Sequence, residues 1–246
     1  MLVVSLLVGV SASLNVQRYR DAAETFKSLL QQQYSNLSSV QNSRDDNWSC
    51  GASATPVVGG SATQLRGQSD CVLIGKYIQV KNENISVYQV VGYKSGTGTQ
   101  PNDIASLKNN YVLNAVKETV ETSTLEWGTR ITYPVRQDGV DNPAPSPRSL
   151  GMLIVRSPES GQIYTFSNNE SAVPAAADIN ASTFANLLVG GNTVPGQGAQ
   201  LICIDTNGML VSSDRAVYVG AFAAASSAVE IRSNDYMKSI GQDSKC

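Results

Sequence analysis

The sequence contains no histidine, and only 15% of its residues are charged, against roughly 25% in ordinary globular domains. Without histidine there is no Ser-His-Asp or Cys-His arrangement, no His-ligated metal and no imidazole general base. Eighteen Lys and Arg against 20 Asp and Glu leave a net charge of -2. No summed field holds a polyanion, which argues against nucleic acid as a general partner. No C-x-x-C pair occurs either, so zinc and thioredoxin-type redox chemistry lose their usual ligands. What fills the 246 residues instead is Ser, Thr, Asn, Gln and 20 glycines, the surface of a polar, weakly charged protein large enough to bury a real core.

Four cysteines are present, Cys50, Cys71, Cys203 and Cys246. An even count in a Ser- and Asn-rich chain points to disulfides and an oxidising compartment, the alternative being four buried thiols in a reducing one. Three connectivities are open. The local one, Cys50 with Cys71 and Cys203 with Cys246, closes the shortest loops and is the expected pairing.

The N-terminus carries the strongest pattern. Met1 to Gln17 contain no charge, 17 residues in all, which as a helix reach ~25 Å against the ~30 Å of a bilayer's hydrocarbon core. A secretory signal cleaved near Ser11, Ala12 and Ser13, a membrane helix and a buried core helix all compete for this stretch. The residues that follow separate them. Val16, Tyr19, Ala22, Ala23, Phe26, Leu29, Leu30, Tyr34, Leu37 and Val40 recur at helical spacing without Gly or Pro to about Ser43, so the apolar start and the amphipathic continuation belong to one helix of ~42 residues. A cleaved signal has no reason to share a helix with the mature protein. A membrane stalk whose distal half packs on a globular head does.

The run MLVVSLLVGVSASLNVQRYRDAAETF resembles the N-terminal helix of type IV pilins and type II secretion pseudopilins, beginning a few residues inside the mature protein. The leader, its cleavage-site Gly and the family's Glu near the new N-terminus are not in this sequence; reading the gene in frame upstream of Met1 is expected to find them. The resemblance covers the first 45 residues closely and the rest loosely. It implies Leu2, Val3, Val4, Leu6, Leu7, Val8, Val10 and Leu14 as the membrane- and filament-packing face. Tyr19, Phe26, Leu30 and Leu37 are then the residues that fix the stalk to the head.

Beyond residue 43 strand signals dominate. Cys71 to Val80 and Ile85 to Tyr93 read as one hairpin, Leu150 to Arg156 and Gln162 to Phe166 as a second, and Leu201 to Arg232 as a C-terminal meander. Trp48 to Gln68 reads as a loop. Two short helices are expected, one from Asn102 or Asp103 carrying Ile104, Leu107, Tyr111, Val112 and Val116, the other capped near Ser182. The expected architecture is α+β: a stalk helix over residues 1–43 and a head over 44–246, with the helix packed on an antiparallel sheet.

Other constellations have plainer readings. Asp205-Thr206-Asn207-Gly208 has the oxygens of half a calcium loop but reads more simply as a hairpin turn. Gly96 to Thr99 and Gly190 to Thr193 lack the flanking strand and Lys of a phosphate loop. Glu118, Glu121 and Glu126 read as a solvated helix face rather than a hydrolase pair. Asn-x-Ser sequons begin at Asn36, Asn47, Asn84, Asn169 and Asn180. Arg215, Arg232, Lys238 and Lys245 form a basic set diluted by Glu230, Asp235 and Asp243.

The sequence thus points to a pilin-like structural subunit rather than an enzyme, with no cofactor and no metal. Its expected partners are other subunits of the filament, the inner-membrane assembly machinery and membrane lipid around the N-terminal helix. The expected location is the cytoplasmic membrane and then an extracellular or periplasmic filament. A secreted hydrolase with Met1 to Ser13 removed and an anchored adhesin are the alternatives.

Overall fold

The structure, a computed structural model, describes residues 2–39, 48–58, 70–81, 83–132, 149–169, 178–188, 200–209 and 215–239. Helix α1 is one unbroken element, Leu2–Ser38, 37 residues long, or about 55 Å. It stops short of the expected Ser43: Ser39 is already a turn, its N–H donating to the Ser35 carbonyl at 3.0 Å.

Strands β1, Trp48–Cys50, and β2, Pro56–Val58, form a small hairpin where a loop was expected. The long strands β3, Cys71–Lys81, and β4, Asn84–Lys94, pair antiparallel as the sequence indicated. Helix α2, Asp103–Asn109, is capped by Asn102, whose Oδ1 accepts from the Ala105 N–H at 2.8 Å.

Here the sequence reading fails. Tyr111, Val112 and Val116 do not continue the helix; they open strand β5, Tyr111–Thr124. The i, i+4 spacing of Leu107, Tyr111 and Val112 imitates a helical face. The stretch itself is rich in β-branched residues, and β4 pairs with it over Tyr111 to Val116 and again, past a bulge, over Glu121 to Thr124. Glu118 and Glu121 therefore lie on a strand, not on a helix, and Glu126 lies in the 3-10 turn Glu126–Gly128.

Strands β6, Arg130–Thr132, β7, Leu150–Arg156, and β8, Ile163–Asn169, follow. Helix α3, Ala181–Leu188, is capped by Asn180 rather than Ser182, its Oδ1 accepting from the Ser182 N–H at 3.0 Å. Strands β9, Gln200–Asp205, β10, Arg215–Val219, and β11, Val229–Ser233, precede the short helix α4, Asn234–Ser239.

The strands build two larger antiparallel sheets, not one. Five strands run in the order β5-β4-β3-β7-β8 and four in the order β11-β10-β9-β6. The five-stranded sheet is covered on both faces. On one face Ile78, Val80, Ile85, Val87, Met152 and Ile154 meet α1, and the same core takes in Ile202, Ile204, Val217, Val219 and Val229 of the smaller sheet. On the other, Tyr77, Tyr88, Leu153, Val155 and Phe166 meet Leu107 of α2 and Phe184, Leu187 and Leu188 of α3.

Strand β3 runs through the middle, and at Gly75 it lies close against β7. A Cβ there would press on the Ile154 carbonyl and lie 2.9 Å from Val155 Cγ1. Any side chain at 75 would push two central strands apart.

Candidate functional site

The two halves of α1 have opposite surroundings. Tyr19, Ala22, Ala23, Phe26, Leu30, Tyr34 and Leu37 are buried in one stripe. Burying each large apolar side chain in it contributes about 1.5–3 kcal/mol. Polar ties fix the register. Tyr19 Oη donates to the Arg215 carbonyl at 3.1 Å and accepts from the Arg215 N–H at 2.9 Å. Gln31 Nε2 donates to the Val229 carbonyl at 3.0 Å. Tyr34 Oη lies 2.7 Å from Thr165 Oγ1, which donates to the Ala223 carbonyl at 2.8 Å. Since the threonine proton is committed to Ala223, the tyrosine is the donor. Burial pushes the Tyr34 hydroxyl up from 10.0 to about 12.

Toward the N-terminus the packing ends. Gly9 to Leu14 are exposed on every side, with Val10 at 51% and Leu14 at 45% of their full surface. The side chains of Leu2, Val3, Val4, Leu6, Leu7 and Val8 lie outside the described ones, although their backbone continues the helix. Among the described residues no helix is long and apolar enough to cross a membrane. The boundary between the halves lies at Asn15 and Val16, both half-buried, before the first buried residue, Tyr19. Tyr19, Ala22 and Ala23 belong to the buried stripe, so the packed part of α1 begins soon after that boundary.

Beside this boundary stands a feature the sequence reading missed. Trp127 is 53% exposed and has a left-handed backbone, φ 58°, a conformation that bulky side chains rarely adopt. Its ring faces the Arg18 guanidinium, 4.9 Å from the centroid. The turn carrying it is pinned on both sides: Thr25 Oγ1 donates to Glu126 Oε2 at 3.3 Å, and Asn207 Nδ2 donates to the Gly128 carbonyl at 2.9 Å. The Trp-Gly dipeptide marks a turn, but its closeness to Arg18 depends on a contact 109 positions away.

Cys50 and Cys71 are disulfide-bonded with Cα atoms 5.8 Å apart, and they pack with Ala54, Val91 and Val116. Cys203 is also disulfide-bonded; Cys246 lies outside the described residues.

The remaining candidates are occupied by structure. Asp205 accepts from Arg130 Nε at 3.2 Å, and Asn207 and Gly208, with φ of 47° and 92°, form the tight turn expected there. The Gly96 loop closes on Asn110, whose carbonyl accepts from the Ser95 and Gly96 N–H groups, so those donors are not aimed at a ligand. Glu121 reaches the buried Lys76 at 3.4 Å. The Gly190 loop, Asn47 and Lys245 lie outside the described residues. Among the described residues no three acidic or cysteine side chains gather as a metal site.

A polar cluster the sequence did not indicate joins α2 to the β7–β8 turn. Asp103 accepts from the Ser160 hydroxyl and from Tyr164 Oη, and these hydrogen bonds, Ser160's foremost, hold its carboxyl below the usual range. Ser106 Oγ donates to Glu159 Oε1 at 2.9 Å. Every member of this cluster is engaged within it.

One cleft, of about 250 Å³, is lined by Asn36, Leu37, Val72, Leu73, Arg156 and Pro158. It falls below the ~300–1,000 Å³ of small-molecule sites, and Arg156 Nε is already bonded to the Gly161 carbonyl. No family model, no curated protein and no solved structure matches the chain.

Proposed function

We propose that this protein is a pilin-like structural subunit, assembled with other subunits into a type IV pilus or secretion pseudopilus through the first half of α1. The observation that carries the reading is the helix itself. The two larger sheets hold its distal half, and its proximal half projects with Val10 and Leu14 exposed. Exposed apolar side chains such as Val10 and Leu14 have water as their alternative, so burial against the same segment of neighbouring subunits is favourable at about 25 cal/mol per Å². Transfer from lipid to a filament core changes the apolar surroundings little, which keeps assembly and disassembly both accessible. The head, with a disulfide-closed corner and a net charge near zero, is the part presented outward. No step of this role requires a catalytic group.

The test is incorporation. Leu14→Asp places a charge on the projecting face without touching the head core. It should leave the head's melting temperature unchanged while the chain disappears from filaments sheared from the cell surface or reconstituted with the assembly machinery. Normal incorporation of Leu14→Asp together with Val10→Asp would overturn the proposal. A mature N-terminus at Leu14, read by mass spectrometry, would favour a secreted protein instead.

A further inference from the structure

We propose that Trp127 and Arg18 form an interfacial anchor that seats the base of the head on the headgroups of an anionic membrane before assembly; this rests on the membrane stage of the role above. The first observation is position. Arg18 lies four residues beyond Leu14, or about 6 Å along the axis, a span comparable to one headgroup layer, since the full bilayer exceeds its hydrocarbon core by only ~10–15 Å. With the apolar run at the edge of the lipid chains, the indole of Trp127 falls at headgroup depth. An amphipathic ring is most stable there, its body against hydrocarbon and its N–H in a hydrated layer.

The second observation is backbone strain in a pinned turn. Trp127 holds a left-handed φ of 58° while glycine occupies the next position. Local strain of this kind persists where the surroundings enforce it, and it is enriched at functional sites. Thr25 and Asn207 enforce it here by bonding the residues on either side of the indole. The indole itself, 53% exposed, is not part of the head core.

The third observation is charge. Arg18 and Arg20, both exposed, are the only charged residues in the first 20, and the carboxylates Asp21, Glu24 and Glu126 lie on the head side of them. The charges nearest the apolar run, Arg18 and Arg20, are therefore positive, although the whole chain carries -2. Anionic headgroups complement them.

The experiment uses the full chain and vesicles of equimolar phosphatidylcholine and phosphatidylglycerol. The chain has two tryptophans, so Trp48→Phe leaves Trp127 as the single fluorophore. Should that variant fail to fold, the difference between wild type and Trp127→Phe isolates the same signal. Vesicle-bound Trp127 should shift to shorter wavelength and be quenched more by bromines placed near the headgroup than by bromines at the chain ends. Arg18→Gln and Arg20→Gln should each weaken partition roughly fivefold, the factor for one basic residue near an anionic surface, and salt should erase the difference. Protein that binds vesicles while Trp127 stays accessible to aqueous iodide would overturn the anchor and leave the filament role standing. Failure to bind at all would remove the anchor together with the membrane stage, whereas a failure of filament incorporation alone would not touch it.

Discussion

The two halves of α1 share one backbone and differ in what covers them. From Tyr19 to Leu37 the helix is the centre of the largest core, contacting both sheets; from Gly9 to Leu14 no described side chain is buried. Helix propensity does not account for the contrast, since Gly9, Ser11 and Ser13 in the exposed half are poorer helix formers than most of the distal half. The distal half is helical because tertiary packing rewards it. The proximal half is helical by continuation from a nucleus already made, which costs little per residue. What the comparison teaches is that packing fixes one half of the helix while, among the described side chains, the other half is left to solvent.

The largest effect should separate the halves outright. Phe26→Ala empties a fully buried site between the helix and both sheets and should cost about 3–5 kcal/mol in chemical denaturation. Leu14→Ala should stay within roughly 0.5 kcal/mol, as surface changes do. Equal losses would mean that the proximal half is part of the head.

Next in size is the cross-link. Reducing Cys50–Cys71, a sequence separation of 21 residues, should destabilise the head by about 3 kcal/mol in the loop-entropy picture, visible as a lower melting temperature. The backbone exchange of residues 9–14 should not change, because nothing in that corner touches them.

Alkali probes the buried tyrosines. The Tyr34 hydroxyl is held neutral by burial, its pKa raised from 10.0 to about 12. Its contribution is complete below pH 10 and is lost as pH rises through 12, because the unfolded tyrosine ionises first. Roughly 2–3 kcal/mol should vanish in that window. Tyr77, raised by burial to about 12 on the opposite face of the sheet, adds a similar loss. Tyr34→Phe should flatten the pH dependence by about half, read from denaturation midpoints at pH 9 to 12.

The smallest effect carries an opposite sign. Trp127→Gly relieves a left-handed backbone and should leave the head as stable as before or up to ~1 kcal/mol more stable. A clear destabilisation would show that the indole supports the core rather than the surface.

Much of the fold was legible because its signals were local. The stripe from Tyr19 to Leu37, the β3–β4 and β7–β8 hairpins and the Asn207-Gly208 turn each declare themselves within a dozen residues. Strand β5 was misread because Tyr111 follows Leu107 at helical spacing, while the β4 residues that pair with Tyr111 and Val112, Lys94 and Tyr93, lie earlier in the chain. The C-terminal meander was legible as β9, β10 and β11, but its standing as a second sheet was not, because its fourth strand, β6, is three residues long and pairs with β9 about 70 positions on. The stripe that holds the stalk was read directly from periodicity, whereas the Trp127–Arg18 pair exists only once the fold has joined them. Burial of Lys76 against Glu121 also runs against composition, which places lysine outside.

Hydrogen exchange along α1 tests the central claim most directly. In the isolated protein the amides from Tyr19 to Leu37 should exchange only through global unfolding, while those from Gly9 to Leu14 exchange through local fraying at far lower cost. On assembly into filaments the proximal amides should rise to the protection of the distal ones. Uniform protection in the isolated chain, or proximal amides that stay unprotected in the filament, would contradict a helix divided between a head that it anchors and a partner that it awaits.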